Sequence, residues 1–156
     1  MTRKNARVYL PIEEYLPHRG RMVLLDTVLE ARTGYIRCAL TPQLDSPFCR
    51  EGRVPAYVGV EYMAQAIGAL VGWESRERGL PVGTGFLVSA RQFRSKVDGF
   101  AAGGMLTIEA RENWRDDDGL AVMDCAIYPP GDIPAAQARL MVYQPMDMNA
   151  YLTKYD

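Results

Sequence analysis

The longest apolar run of the chain covers residues 54–73 and is interrupted chiefly by Glu61 and Gln65. It is about as long as a membrane span. An ionisable group in mid-span is costly in lipid without a bundle partner, however, and no second run of this kind exists. The pattern therefore predicts a helix buried inside a globular fold and no membrane association. Pro55 suits the first helical position, Gly79 the C-cap, and residues 74–78 a charged last turn. Gly59, Gly68 and Gly72 each weaken an isolated helix by roughly 1 kcal/mol relative to alanine. They fit a helix that another backbone approaches closely, a demand expected from a sheet curling around it.

The remaining pattern is short and strand-like. Residues 11–16 read as a short helix that starts at Pro11 and ends at Pro17. Residues 21–29 and 35–40 suit strands joined by a turn at Thr33-Gly34, and residues 41–53, with Pro42, Pro47 and Gly52, form a loop. Beyond the helix, strands are expected at 85–90, 92–97, 105–111, 120–128 and 138–144. Turn chemistry separates them at Asp98-Gly99, Gly103-Gly104, Asp116 to Gly119 and Pro129 to Gly131. One apolar helix and one antiparallel sheet give an α+β arrangement in which the sheet envelops the helix, which describes the hot-dog fold.

Composition narrows the class. At 156 residues the chain reads as one domain, 1–156, with a basic, polar N-terminus (1–7) expected to be disordered. A net charge of -1 gives no global field for nucleic acid, so none is expected as a partner. No apolar stretch follows the N-terminus, which argues against a secretory signal. Cys38, Cys49 and Cys125 are widely spaced, and with one histidine in the chain a Cys/His zinc site is not expected. Free thiols in a reducing cytoplasm fit better, with neither metal nor cofactor.

Candidate chemistry centres on Glu61. Tyr57, Glu61 and Gln65 repeat at i, i+4 and i+8, so on a helix starting at Pro55 they share one face, which Gly68 and Gly72 continue. Two readings stand. Glu61 is a carboxyl of tuned proton affinity facing a cleft and oriented by Gln65 and Tyr57, or it pairs with an arginine from the sheet. His18, the single histidine, suits proton transfer near neutral pH, but a histidine beside a proline turn more often makes local hydrogen bonds. Gly83 and Gly85 lack the rest of a phosphate-binding motif. Arg91, Arg94 and Lys96 form either a solvated strand edge or a landing site for an acidic partner or phosphate.

Three motifs carry a resemblance. Leu16-Pro17-His18-Arg19 followed by Met22-Val23-Leu24-Leu25-Asp26 resembles the opening of bacterial 3-hydroxyacyl-acyl carrier protein dehydratases. Val60-Glu61-Tyr62-Met63-Ala64-Gln65-Ala66 is similar to their central-helix signature, and Ser89-Ala90-Arg91-Gln92-Phe93-Arg94 to their strand motif. The resemblance implies a dimeric hot-dog enzyme whose helix glutamate, here Glu61, works with a histidine in the preceding loop. That loop, residues 48–55, is shortened and holds no histidine. His18 is then the available base, with Glu61 as acid and Pro55, Ala56, Tyr57 and Gln65 orienting substrate. The implied partner is an acidic acyl carrier protein, met by Arg91, Arg94 and Lys96. The chain is most similar to the divergent ApeP-like branch of aryl-polyene, fatty-acid and polyketide clusters, where a second hot-dog subunit completes a heterodimer. An acyl thioesterase, with Glu61 activating water, and a weakly active structural subunit are the rival readings.

Overall fold

A computed structural model describes residues 7–80 and 86–143. Gly83, Gly85, Gln144 and the first six residues lie outside this range. The strands are β1 (Thr27–Arg32), β2 (Tyr35–Leu40), β3 (Arg53–Pro55), β4 (Phe86–Ser95), β5 (Gly99–Ala101), β6 (Leu106–Arg115), β7 (Leu120–Tyr128) and β8 (Ala136–Tyr143). The central helix, α1, is Gly59–Glu77. Six strands make one antiparallel sheet in the order β1-β2-β6-β7-β8-β4, and β3 pairs with β5 separately. Alternation sorts the residues: Cys38, Ile108, Ile127 and Ala136 align across four strands and are buried against α1, as are Ile36, Ala110, Cys125 and Ala138. One helix held in the concave face of one sheet is the hot-dog fold. No helix among the described residues is long and apolar enough to cross a membrane.

The helix starts later than the proline suggests. Pro55 is extended (ψ 145°) and pairs with Gly99, a 3-10 turn occupies Ala56–Val58, and α-helical geometry begins at Gly59. The C-terminus follows expectation. Gly79 takes φ +69°, its N–H donates to Arg76 O, and the Leu80 N–H donates to Ser75 O, closing a Schellman motif.

The helix glycines are used differently from the expectation. A Cβ on Gly72 would sit 2.0 Å from the carbonyl oxygen of Tyr15, so the backbone that needs the space is the N-terminal 3-10 turn (Ile12–Glu14) and not the sheet. Gly59 does yield to the sheet, with Ile127 Cδ1 2.8 Å from a built Cβ, and Gly68 faces Leu16. Burial is also one-sided. Val60, Glu61, Ala64, Gly68 and Val71 form a half-exposed stripe along the helix, whose other residues are covered as far as Trp73.

Other boundaries move for local reasons. A second 3-10 turn (Gly20–Met22) takes the start of the strand expected at 21–29, and β1 begins at Thr27. The two strands expected at 85–90 and 92–97 are the single strand β4, irregular between Arg91 and Arg94, where Gln92 takes φ +55°. Gly99 belongs to β5 and not to a turn; a Cβ there would lie 2.7 Å from Val54 O.

Candidate active site

The segment before β1 carries His18 to the side of α1. Leu16 is buried beside Gly68, and the notch at Gly72 lets the chain at Tyr15 lie on the helix. The Arg19 guanidinium then gathers the turn: Nη1 donates to the carbonyls of Leu16 (2.6 Å), His18 (2.7 Å) and Glu13 (3.1 Å). A guanidinium carries five donors, so one cation satisfies several carbonyls of the turn at once. Gly20, at φ +62°, turns the chain toward the next 3-10 turn.

Gln65 fixes the other end of the segment. It is fully buried, and among the described residues it is the one polar side chain in the buried set. Its Oε1 accepts from Leu24 N–H (2.9 Å), and its Nε2 donates to Met22 O (2.7 Å) and to Glu61 Oε1 (3.2 Å). The amide thus fills the ladder positions of a missing strand while holding one oxygen of the carboxylate a helical turn away.

These constraints leave His18 Nε2 3.8 Å from Glu61 Oε1, with side-chain exposures of 32% and 39%. The gap exceeds a direct hydrogen bond. It admits an oxygen at about 2.8 Å from both atoms, the reach needed for proton exchange. His18 Nδ1 is enclosed and has no hydrogen-bond partner among the described residues, so Nε2 is the nitrogen open to exchange. No arginine pairs with Glu61 among the described residues; its ionic neighbour is His18.

The other expected residues are placed less centrally. Tyr57 lies in the 3-10 turn and is 73% exposed, so the i, i+4, i+8 spacing does not carry it onto the buried face of Gln65. Pro55 and Ala56 are half-buried at the helix entrance, where the Ala56 N–H is engaged with Asp98 O (3.0 Å). Arg91 and Arg94 are exposed on the outer face of the sheet, the side away from α1, and Lys96 lies just past the end of β4. Sequence reasoning did not find the Arg19 clamp; its only signal is adjacency to His18.

A cavity of about 170 Å³, to which neither His18 nor Glu61 contributes, is lined by residues including Leu24, Leu40, Tyr62, Arg21, Asp26 and Asp45. Burial pushes the Tyr62 phenol up to about 12, and the nearby Cys49 adds to the shift. Tyr62 is therefore a neutral hydrogen-bonding group at neutral pH.

Comparison with known proteins identifies the fold and the family. The chain is similar to the solved dehydratase heterocomplex ApeI:P from Xenorhabdus doucetiae, at 31% identity and a TM-score of 0.85, over 96% of this chain and 100% of that one. Its fold is also that of a hypothetical thioesterase solved with coenzyme A from Streptococcus pneumoniae TIGR4 (14% identity, TM-score 0.59, 75% of this chain and 83% of that one). The PaaI protein of the E. coli phenylacetic acid degradation operon shares it as well (13%, TM-score 0.57, 75% and 81%). Among curated proteins no sequence matches. A family model described as ApeP dehydratase spans residues 10–153, nearly the whole chain. Spanning that model and matching that structure over nearly its whole length, the chain belongs to the ApeP-like family of dehydratases.

Proposed function

We propose that the chain dehydrates a 3-hydroxyacyl thioester presented by an acyl carrier protein, with His18 and Glu61 as the proton-transfer pair. The observation that carries this reading is the 3.8 Å approach of His18 Nε2 to a carboxylate oxygen that Gln65 holds in place. In the reaction, His18 Nε2 removes a proton from C2, next to the thioester carbonyl. The C2–H electron pair becomes the C2–C3 double bond, the C3–O bond breaks, and Glu61 in its acid form protonates the departing hydroxyl, which leaves as water. The imidazolium then returns its proton to Glu61 through an oxygen lodged between them. Arg91, Arg94 and Lys96 are cations suited to steering an acidic carrier, an effect that weakens with salt.

The test is turnover of carrier-bound 3-hydroxyacyl substrate. Glu61→Gln and His18→Ala are each expected to lower kcat on the order of 10²–10⁴-fold with the fold intact. Full activity in both folded variants sinks the assignment, and release of free acid and thiol in place of an enoyl thioester makes the protein a thioesterase.

A second reading, a subunit of a hot-dog heterodimer, is favoured by two observations. The related ApeI:P structure is a heterocomplex. In this chain, Val60, Ala64, Gly68 and Val71 leave an apolar stripe half-exposed beside Glu61, suited to cover by another subunit. Under this reading the activity appears only after the second subunit is added.

A further inference from the structure

We infer that the cavity over Tyr62 is a binding site for a neutral, ring-sized organic group that carries one oxygen. Its floor and its mouth differ in kind. Leu24, Leu40, Pro42 and Tyr62 line it as buried residues, whereas Arg21, Asp26, Gln43 and Asp45 are exposed. The volume is about 170 Å³. An apolar cavity of about 150 Å³ holds benzene, so a six-membered ring sets the scale of the occupant.

At the mouth, polar groups are engaged in holding the loop that follows β2. Arg21 Nη2 donates to Asp45 O (2.6 Å), Asp26 Oδ2 accepts from Thr41 N–H (2.8 Å), and Gln43 Nε2 donates to Thr41 O (3.1 Å). Tyr62 is different. It is 2% exposed, lies against Phe100 with ring centroids 5.9 Å apart, and its hydroxyl makes no hydrogen bond among the described residues. Nor is that hydroxyl sealed in. The enclosed side-chain atoms without a partner are His18 Nδ1 and Ser89 Oγ, so the phenol oxygen keeps an opening, and the cavity is the space Tyr62 lines. Cys49, on the same loop, acts on the phenol through its charge, which sets the hydroxyl end toward the loop.

A buried tyrosine hydroxyl normally has a partner, and one left without it costs free energy. An apolar chamber with one unengaged polar group on its floor selects an apolar ligand with one hydrogen-bonding oxygen. Charge argues against an ion. Two carboxylates, Asp26 and Asp45, stand against the single guanidinium of Arg21, which disfavours an anion. A cation would lose its hydration over a floor that offers no carboxylate. Neither His18 nor Glu61 lines the cavity, so the site does not rest on the proposed reaction.

NMR titration of the full chain with phenol, toluene and benzoate tests the site. Phenol is expected to saturate at millimolar concentration and to shift the methyl resonances of Val23, Leu24 and Leu40. Toluene, which fills the same space without the oxygen, is expected to bind about fivefold more weakly, and benzoate not to compete. Tyr62→Phe removes the hydroxyl and keeps the ring. It is expected to bring phenol down to the affinity of toluene, and to leave the thermal midpoint unchanged or raised because no hydrogen bond is lost. Val23→Phe, at a half-buried wall position, fills the space and is expected to abolish the phenol shifts at Leu40. Equal affinity for phenol and toluene, binding of benzoate, or shifts confined to other methyls overturns the proposal. So does unchanged phenol binding in either variant, or a lowered midpoint in Tyr62→Phe, which would reveal a resident partner for the hydroxyl.

Discussion

Gln65 and Leu24 are joined by a 2.9 Å hydrogen bond through which a helix side chain takes the place of a neighbouring strand. The same amide reaches Met22 O and Glu61, so one residue couples backbone position to carboxylate position. Replacing Gln65 by Leu strands a buried N–H and a carbonyl and is expected to cost about 3 kcal/mol, measured by urea unfolding. Gln65→Glu keeps the acceptor for Leu24 but turns the donor toward Glu61 into an acceptor. Its expected signature is a loss of dehydration larger than its loss of stability.

The Arg19 clamp predicts a positioning role. His18 is the single histidine, so its imidazole NMR resonances need no sorting from others. Arg19→Ala releases the carbonyls of Leu16 and His18 and is expected to change those resonances, to abolish their response to Glu61→Gln, and to lower kcat with little change in KM. Arg19→Lys, which keeps a cation, is expected to recover part of both effects. Unchanged resonances in Arg19→Ala would refute the role.

Two helix glycines separate by their neighbours. Gly72→Ala sets a methyl against the Tyr15 carbonyl and is expected to destabilise by about 3 kcal/mol or more, since backbone must move. Gly68→Ala meets only the Leu16 side chain at 3.4 Å and is expected to be neutral or stabilising, by up to about 1 kcal/mol, from helix propensity. Thermal unfolding of the two variants decides the contrast.

These positions show what the chain wrote plainly and what it did not. The apolar run and its charged end mark α1, and Tyr35–Leu40 and Leu120–Tyr128 coincide with β2 and β7, apolar runs bounded by turn residues such as Thr33-Gly34 and Asp116 to Gly119. The strands β3 and β5 span three residues each, too short to show a period, and the bulge at Gln92 reads in sequence as a break. Residues 22–24 are strand-like in composition but find their ladder partner in Gln65, so no periodic signal could place them. Glu61 was legible as a lone carboxylate on an apolar helix. Its approach to His18 was not, because it depends on a notch at Gly72 and a clamp at Arg19, both tertiary contacts.

The loop ahead of the helix offers a stability test. Arg50 and Arg53 exchange backbone hydrogen bonds (2.8 and 3.1 Å) around Glu51 and Gly52, at φ +53° and +76°, the geometry of a type I′ turn. Asparagine favours the first of these positions, so Glu51→Asn is expected to stabilise by about 0.5–1 kcal/mol, read from the midpoint of chemical unfolding.

Asp124 gives the acid limb of stability. Burial opposes its charged form, but hydrogen bonds from Asn113 and Arg139 and the Arg139 charge outweigh it and hold the carboxyl below its ordinary 3.8. A group depressed in the folded state contributes stability above its unfolded value and loses it as pH falls through the folded value. Asp124→Asn is therefore expected to flatten the decline of unfolding free energy below pH 3.8 while lowering stability at neutral pH; a parallel decline in variant and parent refutes this.

His18 and Glu61 are brought together within a single protomer, one from the loop ahead of β1 and the other from α1. Genetic complementation follows from that. Mixed, dissociated and reassembled subunits carrying His18→Ala and Glu61→Gln contain no intact pair in any combination, so activity stays lost. A site divided between protomers would regain part of it. On the proposed pairing, the unit of catalytic inheritance is the single chain.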